Sequence, residues 1–219
     1  MGIRNWAIEL GIWGKEEVKD EKVLDIFEYL NELEHSSDWD LVKSEENLSL
    51  KKRSGSKYSS DFLTSRLEFS FEYSVPLKQL LDHLNDQELR PKWDKNFVVF
   101  ENIESKEYQE YILYSAFKVI TYKTEYLEKK VLLLHKNRVY IIVYSLQDSR
   151  KPEGSVNRAH TFFSVMVVYE HNGKTGLLVY NQTDPNSFLA KMATSVAITK
   201  LSDWALKLKK QIDLVCKVG

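Results

Sequence analysis

The chain has 219 residues, 43% hydrophobic and 29% charged, with 31 lysines and arginines set against 32 aspartates and glutamates. That length can bury a substantial core, and a net charge of −1 argues against the strong basic field of a nucleic-acid binder. No apolar run is long enough to cross a membrane as a helix, and the opening stretch MGIRNWAIELGIWGKEEVKD lacks the apolar core and cleavage site of a secretory signal. MGIRNW begins like a myristoylation signal but carries Trp6 where Ser or Thr is wanted. Cys216 is the lone cysteine. It cannot form an internal disulfide and has no evident partner for thiol catalysis, so it reads as a packed residue in a reducing, cytoplasmic setting.

Residues 17 to 34 place Val23, Ile26, Phe27, Leu30 and Leu33 at helical spacing. Residues 62 to 73 alternate, with Leu63, Leu67, Phe69, Phe71 and Tyr73 against Thr64, Arg66, Glu68, Ser70 and Glu72, which predicts a strand with one dry face. A helix is expected from Pro76 through LKQLLDHL. Strands are expected near 97–103, 107–117, 130–135, 138–146, 156–169 and 174–183. HNGKTG at 171–176 holds Val168 where a phosphate loop needs its first glycine, so Asn172-Gly173 reads as a hairpin turn.

A final helix is expected over 186–216. Leu189, Ala193, Ala197, Leu201, Trp204, Leu208, Ile212 and Val215 lie on one face, and Lys191, Ser195, Ser202, Lys209, Lys210 and Asp213 on the other. With no linker or repeat, residues 1–19 read as an N-terminal segment and 20–219 as one domain. The fold class is α+β: a curved antiparallel sheet wrapped around the long C-terminal helix.

Between these elements lies NDQELRPKWDKN, residues 85–96. Pro91 disfavours a helical Arg90, so the turn begun near Asp86 is expected to stop there and to direct Trp93 inward as an anchor. Arg90 offers a planar fork suited to phosphate. Asp94 can hold that fork, pinning the corner, or face an ammonium group, and the two roles are compatible.

This order of elements resembles the START (steroidogenic-acute-regulatory-related lipid transfer) family. Asp86, Arg90, Trp93 and Asp94 match its Asp–x–x–x–Arg–x–x–Trp–Asp corner. VNRAH at 156–160 is similar to a strand start in the family, and TDP at 183–185 to the run before its last helix. KKVLLL at 129–134 departs from an Arg–Asp–aromatic run, and Asn186 stands where a glycine is usual.

The resemblance implies a helix-grip fold that carries one lipid in a closed cup, without catalysis, cofactor or metal. In the phosphatidylcholine-transfer branch the matching arginine is associated with phosphate and aromatic rings with choline. The implied lipid-binding residues are Arg90, Asp94, Tyr114, His135, Phe162 and Ser164. His135 is either a polar contact inside the cup or a surface residue, and the 159–169 segment either lines the cup or is a strand buried on both sides. Sterol-binding members keep an inner acid–base pair. The matching positions here read Ser115 or Ala116 and His135, which favours phospholipid.

Access is expected from the 118–128 loop and from Phe188, Leu189 and Met192, which suit a bilayer interface. Trp6 and Trp13 are expected on a membrane or on the body of the domain. The implied partners are a phospholipid or other hydrophobic ligand and a transient membrane surface, with no nucleic acid and a monomeric state. Two other classes stay open: an enzyme of the same superfold acting on a hydrophobic substrate, and an interaction domain with a vestigial cavity.

Overall fold

Alternating side chains dominate the structure, a computed structural model that describes residues 2–119, 122–151, 154, 157–186 and 194–216. In chain order the elements are α1 (Ile3–Glu9), β1 (Trp13–Gly14), α2 (Glu21–His35), β2 (Asp40–Glu45), β3 (Leu48–Ser54) and β4 (Leu63–Ser70). Next come α3 (Leu77–Asn85), α4 (Arg90–Trp93), β5 (Phe97–Lys106), β6 (Glu110–Val119) and β7 (Tyr122–His135). The chain continues through β8 (Arg138–Ser145), β9 (His160–His171), β10 (Lys174–Asp184) and α5 (Thr194–Cys216).

Nine strands form one path, β2-β3-β4-β10-β9-β8-β7-β6-β5, antiparallel throughout. The tenth, β1, runs parallel to β7 at Leu133 and Leu134, where β6 no longer reaches. The sheet is open, with β2 and β5 at its edges.

The expected hairpin at 172–173 joins β9 to β10, with φ of 51° at Asn172 and 72° at Gly173, as a two-residue turn between twisted strands requires. β2 and β3 have no counterpart in the expected strand list, because LVKSEENLSLKKRS is mostly polar. They pair at the sheet edge, where only Leu48 and Leu50 of β3 are buried.

Two apolar layers hold the sheet, and strand alternation assigns residues to each. The inner layer joins Leu67, Phe69, Leu132, Ile141, Val168 and Leu177 to Ile198, Ala205, Leu208 and Ile212 of α5. The outer layer joins Val131, Leu133, Ile142, Val165 and Val167 to Val23, Ile26, Leu30 and Leu33 of α2. Burying each such aliphatic side chain stabilises the fold by about 1.5–3 kcal/mol. Asp20 starts α2, its Oδ1 accepting from the N–H groups of Lys22 and Val23 at 3.1 and 3.2 Å, which satisfies two otherwise orphaned donors.

Several expectations need correction. Residues 122–128 are not a loop: Tyr122 through Glu128 pair with β6, because Tyr122, Thr124 and Tyr126 are good strand formers. Val215 is 43% exposed, whereas Ser202 is buried and gives its hydroxyl to the Thr199 carbonyl. That internal bond lets a polar residue sit under the helix. Trp6 packs against the inner layer and Trp13 against the outer one, both on the body of the fold. The Cys216 thiol lies 3.0 Å from Gln79 Oε1, half-buried. Phe188, Leu189 and Met192 lie outside the described residues.

Candidate functional site

The corner at 85–96 is built by local hydrogen bonds. Asp86 Oδ1 accepts from the N–H of Glu88 at 2.7 Å and of Leu89 at 2.8 Å, and the Arg90 N–H reaches the Asp86 carbonyl at 2.9 Å. The turn does not stop at Arg90. It continues as α4, with Asp94 N–H on the Arg90 carbonyl at 3.1 Å. Pro91 is tolerated because it stands in the first turn, where no N–H is required of it. Trp93 is buried, and its Nε1 donates to the His83 carbonyl at 3.0 Å.

The Arg90 guanidinium therefore lies on the inner side, beside the rings of Trp93, Phe97 and Trp204 at 4.4, 5.1 and 5.7 Å. One terminal nitrogen meets Asp94 Oδ2 at 3.2 Å. The pair is deeply enclosed, with side-chain exposures of 12% and 4%. Burial draws the Arg90 pKa down to about 10, opposed by Asp94. Arg90 Nε and Asp94 Oδ1 are both buried without a hydrogen-bond partner. The contact is single rather than forked, so capacity for further hydrogen bonds remains on both residues.

Lys130 and Glu128 belong to the same inner face, together with Tyr126 and Leu132 of β7. Lys130 Nζ lies 2.9 Å from Asn85 Oδ1. Burial, then the nearby Arg90 charge, pushes its pKa down to about 8, with Glu128 acting in the opposite sense. Glu128 accepts from Thr161 Oγ1 at 2.6 Å. It is only half-buried, yet burial still pushes its carboxyl upward.

Phe97, Phe100, Phe117 and Tyr126 form a chain of rings next to Arg90, with centroids 4.1 to 5.3 Å apart. All four are only half-buried, as are Val143, Ser164, Met166 and Leu201. An accessible apolar surface thus adjoins a buried polar corner. At the rim, a cavity of about 810 Å³ lies between the segment after β8 and the end of β10, lined by Ser145, Asp148, Arg158, His160 and Asp184 among others.

Of the six residues expected to line the cup, Arg90, Asp94 and Ser164 lie on the inner side, and three do not. Tyr114 pairs with Leu127, on the opposite face from Ser115, and its ring meets Lys151 and Arg158 at 4.7 and 5.7 Å. His135 packs on Phe27 of α2 at 5.3 Å, in the outer layer. Phe162 sits at a β-bulge, where the register shifts between Gln182 and Thr183, and it packs on the outer layer and Phe62. The bulge lets Thr161 take the inner position and bond Glu128.

Ser115, Ala116 and His135 carry no inner acid–base pair, and the charges on the inner face of β7 are instead Glu128 and Lys130, each with its own partner. Ser115 and Ala116 lie on the neighbouring strand β6, and His135 lies further along β7 itself. The available signal was the alternation of Tyr126, Glu128, Lys130, Leu132 and Leu134, which puts both charges on an otherwise apolar face. Among the described residues no cluster of three or more His, Cys, Asp or Glu is arranged to hold a metal.

No protein-family model matches the sequence, and no curated protein matches it. Solved structures do. Human STARD10 superposes with a TM-score of 0.75 at 18% identity, covering 89% of this chain and 80% of its own. Human StAR-related lipid transfer protein 5 gives 0.77 at 14% identity, covering 89% and 96%. A STAR-related lipid transfer protein from Xanthomonas axonopodis gives 0.65 at 13% identity, covering 80% and 99%. The chain has the START-domain fold, a curved antiparallel sheet gripping a C-terminal helix.

Proposed function

We propose that this protein binds a single lipid against the inner face of its sheet and carries it between membranes, without catalysis. The observation that carries the reading is the buried Arg90–Asp94 pair, with free hydrogen-bonding capacity on both partners, opening onto half-buried aromatic and aliphatic side chains. One polar corner beside an apolar surface suits an amphiphile. The physical need is large: each methylene is worth about 0.8 kcal/mol, so a lipid with about thirty of them exposes on the order of 20 kcal/mol of hydrophobic cost in water. A soluble carrier must cover them.

The ligand class we favour is phospholipid, with a phosphate at Arg90. Phosphatidylcholine, the example suggested by the corner motif, loses support because Tyr114 and Phe162 face outward. Phe97, Phe100, Phe117 and Tyr126 are the rings near the head-group end. The reading includes transient contact with a membrane surface through Phe188, Leu189 and Met192, a monomeric state, no nucleic-acid partner and a cytoplasmic setting.

Organic extraction of protein purified from cells, followed by mass spectrometry, tests this. One lipid per protein is the expected result, and a protein that neither retains nor takes up lipid overturns it. Glu128 and Lys130 favour a second reading, an enzyme, since a half-buried acid and a buried base with shifted pKa values share one face. Conversion of a bound lipid during incubation would select that reading.

A further inference from the structure

A buried ammonium is costly unless an anion lies beside it. Lys130 is buried, and its close partner is the neutral amide of Asn85, 2.9 Å away. Among the described residues no carboxylate stands at ion-pair distance from it. The other charges nearby are already engaged. Arg90 is offset by Asp94 at 3.2 Å, and Glu128 accepts a hydroxyl hydrogen bond from Thr161. Arg90 thus has its anion in contact, whereas the Lys130 ammonium, on the same face of β7 as the Glu128 carboxylate, has none at ion-pair distance among the described residues.

Its unpartnered atoms fit the same picture. Arg90 Nε and Asn85 Nδ2 are buried donors, and Asp94 Oδ1 is a buried acceptor, all without a partner. The lysine ammonium has three donors, of which Asn85 takes one. Asn85 ends α3, and its carbonyl is held by Asn102 Nδ2 at 3.2 Å. Arg90 and Asp94 bracket α4 directly after it. Two donors and one acceptor are therefore presented by two short, well-braced helices, and the ammonium by β7.

We infer that this corner selects a phospholipid of net negative charge with a hydroxyl on its head group. The phosphate oxygens accept hydrogen bonds from Lys130, Arg90 Nε and Asn85 Nδ2, and the head-group hydroxyl donates one to Asp94 Oδ1. A phosphodiester carrying one negative charge gives the Lys130 ammonium the contact anion it lacks. Choline would place a further cation beside Lys130 and Arg90 and has no proton to offer Asp94. This inference rests on the carrier reading and names the head group that the carrier prefers.

The test offers the full-length protein vesicles of phosphatidylcholine mixed with phosphatidylglycerol, and separately phosphatidylcholine vesicles containing oleate, with native mass spectrometry of the recovered protein. The expected result is enrichment of phosphatidylglycerol over phosphatidylcholine by about tenfold, equivalent to about 1.4 kcal/mol. Lys130→Met brings that ratio close to the vesicle composition, while Lys130→Arg keeps it. Equal uptake of the two phospholipids, preference for phosphatidylcholine, or a ratio unchanged in a folded Lys130→Met protein overturns the inference and leaves the carrier reading intact. Oleate taken in place of phospholipid overturns the phosphate assignment. Failure to take up any lipid overturns the carrier reading itself. The wild-type ratio decides the matter even where Lys130→Met lowers the melting temperature.

Discussion

Arg90 and Asp94 illustrate how burial changes what a substitution reports. The sequence leaves open whether they pin a corner or contact a ligand, and their geometry serves both. Because Asp94 is 3% exposed, Arg90→Ala would strand a buried carboxylate and should cost about 3–5 kcal/mol of stability. That variant mixes folding with function. Arg90→Lys keeps a charge beside Asp94 but removes the planar fork, so lipid transfer between vesicles should fall by about tenfold or more with a much smaller loss in denaturant midpoint. A Lys variant that transfers at the wild-type rate would leave the arginine with its bracing role alone. Lys130 and Glu128 were legible only through strand alternation, because KK at 129–130 reads as a surface pair until one of the two must point inward. Lys129 does face out, to Asp20 at 2.9 Å and Glu110 at 3.3 Å.

At the level of elements, β9 and β10 decide much of the site. Their hairpin was plain in Asn172-Gly173, but the bulge beside Phe162 carries no sequence signal, and it turns one expected lining residue to the other side. Tyr114 faces outward through the unbroken β6–β7 register, which pairs it with Leu127. Further along the β9–β10 pair, Gly176 stands opposite Tyr169, whose ring lies over the space a side chain would occupy and whose hydroxyl meets Glu68 Oε1 at 3.2 Å. Gly176→Val should therefore displace that ring from the outer layer and cost about 1–3 kcal/mol, read as a lower denaturant midpoint at an unchanged slope. An unchanged midpoint would show that the ring moves aside freely.

The whole molecule is a sheet covered on one side by α2 and gripped on the other by α5, with the inner face partly accessible near Arg90. A lipid bound there should stabilise the native state by mass action: about 2.7 kcal/mol when free ligand is a hundred times its dissociation constant. Calorimetry of lipid-depleted protein, titrated with phosphatidylglycerol vesicles, should show the melting temperature rising with lipid. A flat profile would mean that lipid does not distinguish folded from unfolded chain. The N-terminal segment belongs to this same packing, since Ile3 and Ala7 are buried in the inner layer and β1 pairs alongside β7.

Order and type of elements were readable from the chain alone, because amphipathic period and turn chemistry are local properties: the α2 stripe, the 62–73 alternation, the Asn-Gly hairpin and the corner around Trp93 each lie within a few consecutive residues. Which side chains share the inner face was decided by tertiary structure. Register, bulges and the path of β7 beneath α3 and α4 set those neighbours, and they bring Asn85, Arg90 and Lys130 together across 45 residues of chain. Period-two alternation divides a strand into two faces, but only packing against α2 and α5 determines which face is inside.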